Sequence, residues 1–504
     1  MQNNALEYLE NTVKTHPGKF AFADQHEQVN YAALLQQARA IGCYLARHLK
    51  GAVRKPVVVL VERDIHAIIM FLGVLFSGNF YVPIENQSPL HRKKLILDCL
   101  QPEVILTARE DLNEISQLDF NGQILQFKEA LKAPIDKELL AGIRGRVIDS
   151  DPIFAVFTSG SSGIPKGVLI SHRSVIDLIE RHTCLFGFND QNVLGNQAPL
   201  DYDGAIRDIF TTIKHGASLH IIPKMLFAFP LKLLEHLRQK NINTIVWATS
   251  ALRLIANLQA LEKGPLPSLE KIFFTGEVMP NKVLNYFRKH FPQALFVNLY
   301  GPTEITCNCT YFIVKRPFAD DEVLPIGLPF PNIEILLLDE HDRPAGQGEI
   351  GEICVRGTCL ALGYYNNPAE TARAFCNNPL NPAYPEKIYR TGDLGKYNEK
   401  GELLFLSRKD QQIKHMGYRI ELGEIEAAAN ALGCLEVACA LYDAPREKIV
   451  LFYQASDKCD QEILRRLRES LPKFMLPNRL VHSEHLPLNK NGKIDRVILK
   501  ESLG

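Results

Sequence analysis

Runs of β-branched residues alternate with amphipathic segments in the first half of the chain, and this alternation constrains the fold most. Between about residue 30 and residue 250, the runs VVVLVE (57–62), FYVPI (80–84) and EVILTA (103–108) are typical of buried strands. The segment HAIIMFLGVLFSG, which separates the first two runs, is typical of a helix. Strands that alternate with helices form a sheet covered by helices, so the sequence predicts an α/β fold.

The same alternation returns between NTIVWAT (243–249) and ALFVNLYG (294–301), which predicts a second α/β layer. Beyond about residue 325, strands and Gly- or Asp-containing turns predict a small β subdomain. We expect a large N-terminal domain over residues 1–409, made of two stacked α/β subdomains plus this β subdomain. A small mobile α+β C-terminal domain is expected over residues 410–504.

The chain has no net charge, because 57 Lys and Arg residues balance 57 Asp and Glu residues. A protein without a general positive field is not expected to bind nucleic acid or an anionic membrane. The N-terminus lacks the features of a signal peptide, and the longest apolar runs fall well short of the roughly 20 residues of a membrane span. We therefore expect a cytoplasmic protein. The 11 cysteines contain no CxxC pair, which favours buried thiols over a zinc site.

The most informative segment is PIFAVFTSGSSGIPKGVLISHRSVIDLI, residues 152–179. It predicts an apolar strand, a loop rich in Ser, Thr and Gly, a short second strand and a helix. Glycines allow close approach of the backbone, while hydroxyl groups and Lys166 offer donors and a cation, so a polyphosphate is the expected ligand. The order of residues differs from a Walker A loop, since Gly167 follows Lys166. By composition alone, a flexible surface loop is the alternative.

FTSGSSGIPKGV resembles the signature loop of the adenylate-forming superfamily, which includes acyl-CoA synthetases, luciferases and the adenylation domains of nonribosomal peptide synthetases. Further motifs follow in the family's order: NLYGPTE (298–304), YRTGDL (389–394), SRKDQQIKHMGYRIELGEIE (407–426) and NKNGKID (489–495). Together with the chain length, they look most like a stand-alone amino-acid adenylation enzyme of the D-alanine:carrier-protein ligase type.

The resemblance implies that ATP and Mg²⁺ bind at these motifs. The residues expected to contact the nucleotide are Thr158, Ser159, Gly160, Ser161, Ser162, Gly163, Lys166, Gly276, Glu277, Asn298, Leu299, Tyr300, Gly301, Asp393, Phe405 and Arg408. Among these, the loop residues would cover the β- and γ-phosphates, Asn298 would contact adenine and Asp393 would accept hydrogen bonds from the ribose.

Three residues are expected to act on the reacting groups. By the resemblance, Lys493 is the catalytic lysine, Thr303 contacts the α-phosphate and Glu304 binds magnesium. A positioned ammonium together with a metal stabilises the charge that builds on the transferring phosphate. Asp410 lies where the family places the hinge about which the C-terminal domain rotates between the two half-reactions. Without the resemblance, Lys493 would be interpreted as a solvated turn residue.

The segment QAPLDYDGAIRDIF (197–210) resembles the part of the family that contains the aspartate for the substrate ammonium, which would be Asp203. A buried carboxylate needs a cation, and an amino acid supplies one. The alternative is an Asp that caps a turn. The other pocket residues implied by the resemblance are Gly204, Arg207, Val246, Phe273, Thr275, Leu299, Cys307 and Asn308.

Arg207 leaves the substrate open. Its guanidinium could pair with an acidic side chain, fill space so that only a small side chain fits, or point at Asp208 and solvent. The resemblance to the D-alanine ligases favours a small amino acid, which we expect first, and we expect an acidic one second.

No segment resembles a carrier domain or a condensation domain, so we expect a separate carrier protein with a phosphopantetheine thiol as partner. One alternative is an acyl- or aryl-CoA synthetase, in which free CoA replaces the carrier. An alternative of another class is a non-catalytic nucleotide-binding protein.

Overall fold

The structure is a computed structural model that describes residues 2–160, 164–264, 266–410, 412–488 and 494–503. Helices and strands alternate over most of the N-terminal part. The helices of four or more residues described there are Leu6–Thr15, Tyr31–His48, Ile65–Phe76, Leu90–Leu100, Asn113–Ser116, Phe127–Leu131, Lys137–Arg144, His172–Phe186, Asp203–His215, Lys224–Ala228, Pro230–Gln239, Thr249–Asn257, Ala260–Lys263, Asn281–His290 and Pro368–Ala374.

The first sheet is mostly parallel. Its strands lie in the order Gly363–Tyr364, Lys166–Ser171, Pro152–Thr158, Phe80–Glu85, Pro56–Val61, Val104–Thr107 and Gln123–Gln126. The strand that precedes the Ser- and Gly-rich loop pairs antiparallel with the strand that follows it, and a helix comes next, so the predicted strand–loop–strand–helix order of this segment is confirmed.

The second sheet is also mostly parallel, with antiparallel strands at its two edges. Its order is Leu328–Pro329, Thr310–Ile313, Leu295–Tyr300, Lys271–Thr275, Thr244–Ala248, Val193–Asn196, Ser218–Ile221, Phe20–Ala23 and Gln28–Asn30. The central strands therefore end at a common edge, as in other open α/β sheets.

Helix Ile65–Phe76 explains how the two sheets stack. Every residue of this helix except His66 is buried, and the helix belongs to one hydrophobic core with Val57 and Val59 of the first sheet and Phe22 and Leu219 of the second. A helix that is apolar all round must be covered on all sides. The predicted arrangement of two stacked α/β subdomains is therefore confirmed.

A third sheet forms the predicted β subdomain. Its strands Ile333–Leu338, Gly351–Gly357, Lys387–Tyr397, Phe375–Asn377 and Leu403–Arg408 pair antiparallel.

The C-terminal part is α+β. It contains a hairpin of Gln412–His415 and Tyr418–Glu421, a sheet of Val437–Asp443, Lys448–Gln454 and Arg479–Ser483, the helices Leu422–Asn430, Asp460–Ser470 and Arg496–Glu501, and the short turn Lys473–Met475. Its core is separate from that of the N-terminal part. The ion pairs that join the two parts include Arg92 with Glu424, at 3.0 Å, Glu304 with Arg419, at 2.7 Å, and Arg253 with Glu447.

Among the described residues, we find no helix with both the length and the apolar character that crossing a bilayer requires.

Candidate active site

A cavity of about 990 Å³ opens where the central strands of the second sheet end. Strands Thr244–Ala248 and Lys271–Thr275 place Val246, Thr275 and Gly276 on its wall, and helix Asp203–His215 contributes Asp203, Gly204 and Arg207. Gly301, Cys307 and Asn308 complete the predicted residues found there. The size is that of a small-molecule site, which usually measures about 300–1,000 Å³.

Two of the predicted pocket residues do not reach the cavity. Phe273 is fully buried and its ring packs against those of His182, Phe186 and Phe188. Leu299 is buried in the same core. Phe273 points to the same side of its strand as Thr275, but it lies two residues further from the strand end, where aromatic rings cover it.

Asp203 is a buried carboxylate at the start of its helix, with 4% of its surface exposed. Burial raises the pKa of Asp203 to about 6, although a hydrogen bond with Thr303 and the charge of Arg207 oppose the shift. A carboxylate in this setting gains most from a cation that enters the cavity and replaces water.

Glu304 is also buried, and both of its oxygens accept hydrogen bonds. The Tyr364 hydroxyl donates to Oε1 at 2.8 Å, and Arg419 Nη1 of the C-terminal hairpin donates to Oε2 at 2.7 Å. Burial alone would raise the pKa of Glu304, but Arg419 and Tyr364 outweigh burial and hold the pKa below its ordinary value. In this arrangement Glu304 is therefore ionised, and Arg419 compensates its buried charge.

The described ends of the Ser- and Gly-rich loop are held by neighbouring elements. Ser159 Oγ donates to the Arg419 carbonyl at 3.0 Å. Lys166 Nζ donates to Glu370 Oε2 at 2.7 Å and lies 5.6 Å from the centre of the Tyr364 ring. Thr158 is buried, and Gly160 passes so close to Ile164 that a Cβ would lie 2.2 Å from its carbonyl oxygen. The predicted residues Ser161, Ser162 and Gly163 lie outside the described residues.

Asp393 lies at the centre of a group of hydrogen-bonded side chains. Tyr300 OH donates to one of its oxygens and Arg408 Nη1 to the other. Arg408 also donates to Asp410, from Nε at 2.6 Å and from Nη2 at 2.7 Å. The predicted ribose residue and the predicted hinge residue thus contact the same guanidinium.

The remaining predicted nucleotide residues are spread around these groups. Asn298 donates to the Pro325 carbonyl at 2.8 Å, and the Phe405 ring lies 6.4 Å from that of Tyr300. Gly276 has a φ of +92°, and Glu277 Oε1 accepts a hydrogen bond from the Gly417 amide at 2.9 Å. Lys493 lies outside the described residues.

Sequence reasoning missed Arg419 and Lys414, which the C-terminal hairpin presents to the site. The two residues are register partners on its opposite strands, so their side chains share one face. Lys414 Nζ lies 5.8 Å from the Tyr300 ring centre, and burial lowers the pKa of Lys414, against the effect of Asp393. The alternation of side chains along the hairpin segment IKHMGYRIE could have indicated that Lys414 and Arg419 face the residues predicted to bind the nucleotide.

Comparison with known proteins agrees with this geometry. The family model described as "AMP-binding enzyme" matches residues 9–365. The D-alanine–D-alanyl carrier protein ligase of Lacticaseibacillus casei is 28% identical over 99% of each chain. Bacitracin synthase 1 of Bacillus licheniformis is 30% identical over 96% of this chain, which spans only 9% of that synthase.

A solved structure shows the same fold. The Vibrio cholerae adenylation domain AlmE, determined in complex with glycyl-adenosine-5′-phosphate, superposes with a TM-score of 0.84 over 100% of this chain and 98% of its own, at 22% identity. The family match, the arrangement of stacked sheets and the cavity at their edge lead to one conclusion: the chain belongs to the AMP-binding enzyme family.

Proposed function

We propose that this protein is an ATP-dependent, AMP-forming ligase that activates an amino acid, with a small side chain favoured, and passes it to the phosphopantetheine thiol of a separate carrier protein. The observation that carries the proposal is the buried Asp203 carboxylate on the cavity wall, close to Thr303 and Glu304. It offers an anion for a substrate ammonium next to groups suited to a nucleotide. The likeness to D-alanine–D-alanyl carrier protein ligases supports the same substrate class.

In the first half-reaction, Asp203 would hold the ammonium group so that the substrate carboxylate faces the α-phosphorus of ATP. The carboxylate oxygen forms a bond to that phosphorus, and pyrophosphate leaves with the electrons of the broken P–O bond. Lys493 and Thr303 would stabilise the charge on the transferring group. Lys166 and the loop beside it would hold the phosphates that depart, while Asn298 and Asp393 position the nucleoside.

Magnesium fits the donor set, because Glu304 offers a carboxylate and Thr303 a neighbouring hydroxyl, and hard cations prefer oxygen ligands. Arg419 would leave Glu304 when the ion binds, because the guanidinium and the metal ion are both positively charged and would repel each other at one carboxylate. The bound ion would neutralise phosphate charge.

For the second half-reaction, we propose a domain boundary between residues 409 and 410, with Asp410 as the hinge. The hairpin that follows Asp410 lines the cavity with Met416, Gly417 and Tyr418. A carrier thiol would reach the aminoacyl-AMP along this side, lose its proton and attack the acyl carbon, so that a thioester forms and AMP leaves. A rotation about Asp410 that exchanges the hairpin for Lys493 would separate the two half-reactions.

An ATP–pyrophosphate exchange screen tests the proposal. It covers both enantiomers of the common amino acids together with short fatty and aryl acids, on the unmodified protein, Asp203→Ala and Lys493→Ala. We expect exchange with an amino acid and its loss in both variants, with thermal unfolding as the control for folding.

Other outcomes assign other functions. Exchange with fatty or aryl acids alone, unaffected by Asp203→Ala, would indicate an acyl- or aryl-CoA synthetase. Absence of exchange with every acid would indicate a non-catalytic nucleotide-binding protein.

A further inference from the structure

Arg207 is a buried guanidinium on the wall of the cavity. It lies one helical turn after Asp203 on helix Asp203–His215, and residues four apart share one face of a helix. Only 1% of its surface is exposed, which makes it one of the largest fully buried side chains in the described part of the chain. A side chain of this length takes up space that a substrate side chain would otherwise occupy.

The N–H groups of Arg207 already have acceptors. Nε and Nη2 donate to Asp208 Oδ1 at 3.3 and 3.2 Å, and Nη1 donates to Asn308 Oδ1 at 2.9 Å and approaches Cys307 Sγ at 3.6 Å. The other oxygen of Asp208 accepts from Asn196 Nδ2 at 3.0 Å. The guanidinium is therefore held by Asp208 of its own helix and by Asn308 of a separate segment, residues 306–308.

A strained turn fixes the position of the segment that carries Asn308. Thr306 and Cys307 have φ angles of +58° and +77°, in the left-handed region that side chains with a Cβ rarely adopt. The turn packs on Gly301, where a Cβ would lie 2.7 Å from the Asn308 Cα, and Thr306 Oγ1 donates to the Cys359 carbonyl at 2.8 Å. These contacts set the position of the Asn308 oxygen, so Arg207 is held in place before any substrate arrives.

The charges of this wall suit an uncharged substrate side chain. A substrate ammonium would pair with Asp203, and Arg207 already pairs with Asp208. The nearby Arg63 donates to the backbone carbonyls of Ile222, Ala198 and Asn196. An acidic side chain that reached this wall would compete with Asp208 for one guanidinium and add a buried negative charge.

We infer that Arg207 is a specificity-determining residue that closes the amino-acid pocket, so that a small uncharged side chain of the size of glycine, alanine or serine fits and acidic or long side chains do not. This inference rests on the proposed function. Arg207 acts through its volume and its bonds to Asp208 and Asn308, and it is not a counter-ion for the substrate.

Two double variants separate volume from charge. Arg207→Met/Asp208→Asn removes both charges and keeps the length of the side chain, whereas Arg207→Ala/Asp208→Asn removes the same charges and shortens it. Because both variants also replace Asp208, neither leaves a buried carboxylate without its guanidinium partner. Exchange is measured with Gly, Ala, Ser, Val, Leu, Asp and Glu, and thermal unfolding checks that each variant folds.

We expect the unmodified protein to prefer Gly, Ala or Ser over Leu, Asp and Glu by at least about tenfold in kcat/KM, the scale on which pocket size discriminates. The Met-containing variant keeps this ranking, while the Ala-containing variant raises Leu relative to Ala by at least about tenfold.

Three results would overturn the inference. The first is an unmodified protein that prefers Asp or Glu and loses this preference in both variants. The second is a ranking unchanged in a folded Ala-containing variant. The third is loss of the small-side-chain ranking in a folded Met-containing variant. Exchange with non-amino acids only, or with no acid, would instead contradict the proposed function, on which the inference depends.

Discussion

The proposed active site has one half for the nucleotide and one half for the amino acid, and the two halves hold their charges differently. In the nucleotide half, two ion pairs join residues that are distant in sequence: Glu304 with Arg419, and Lys166 with Glu370. In the amino-acid half, Arg207 pairs with the adjacent Asp208. The Glu304–Arg419 pair joins the N-terminal part to the C-terminal hairpin, whereas the Arg207–Asp208 pair lies within one helix.

The difference indicates which half rearranges. An ion pair between two parts of the chain can be exchanged when the parts move, but a pair within one helix persists. Breaking a buried pair costs about 3–5 kcal/mol, because one charge is left uncompensated. If Arg419 left, the charge of Glu304 would be uncompensated, and the metal ion that we propose there would meet this need. The amino-acid half is preorganised, so substrate binding there requires little reorganisation.

The variant Glu304→Gln is the strongest test of this comparison. It removes the negative charge to which Arg419 and the proposed magnesium ion would both bind. We expect kcat of the exchange reaction to fall by about 10²–10³-fold, the usual loss when one electrostatic contact to a transition state is removed. Steady-state exchange over a range of Mg²⁺ concentrations measures it. A variant with unchanged kcat and unchanged Mg²⁺ dependence would show that Glu304 does not hold the metal.

Arg419→Met tests whether Arg419 and the metal compete. The variant frees Glu304, so the Mg²⁺ concentration that gives half-maximal exchange should fall by about tenfold, since a hydrogen bond to a charged group contributes about 1.5–3 kcal/mol. Aminoacyl transfer to the carrier, measured separately, should slow. Arg419→Lys keeps the charge and serves as the control, with a smaller change in both quantities. Equal Mg²⁺ requirements in all three proteins would contradict competition.

The amino-acid half should respond to pH through Asp203. Its pKa is about 6 because of burial, and only the ionised form attracts an ammonium. KM for the amino acid should therefore be constant above pH 6 and rise by up to about tenfold per pH unit below it. Exchange kinetics between about pH 8 and pH 5 measure this, with KM for ATP as the internal comparison. A flat profile for the amino acid would argue against Asp203 as the counter-ion.

Glu370→Gln should have the smallest effect. The Lys166–Glu370 pair is partly exposed, with 13% and 29% of the side chains accessible, and such pairs contribute about 0.2–1 kcal/mol. Without Glu370, Lys166 is free to bind phosphate, so KM for ATP should fall by about two- to fivefold. Initial-rate exchange at varied ATP measures the change, and Arg373→Gln, which removes another partner of Glu370, is the control. A rise in KM would show that Glu370 orients Lys166 rather than competing for it.

Local sequence patterns predicted the layers of this fold well. The β-branched run 57–62 and the strand–loop–strand segment around Lys166 carry their own periodicity, which local sequence retains. In the structure these segments form the strands Pro56–Val61, Pro152–Thr158 and Lys166–Ser171, which begin and end within a residue or two of the expected positions.

The partners of the site residues could not be predicted in the same way. The pairing of Glu304 with Arg419 depends on how the C-terminal hairpin rests on the N-terminal part, and no local pattern encodes that arrangement. Phe273 was expected on the pocket wall but lies behind it, because His182, Phe186 and Phe188 cover it. The contacts of Arg207 likewise depend on the left-handed turn at Thr306 and Cys307, which the residue types alone do not predict.

The bonds that hold Arg207 also place the thiol of Cys307 on the wall of the cavity. Burial raises the pKa of Cys307 to about 12, against the influence of Arg207, so the sulfur stays protonated at neutral pH. A thiolate is the nucleophilic form of cysteine and a thiol is not. An activated acyl group bound in this cavity, as we propose, would thus be protected from capture by Cys307 and would persist until an external thiol arrived.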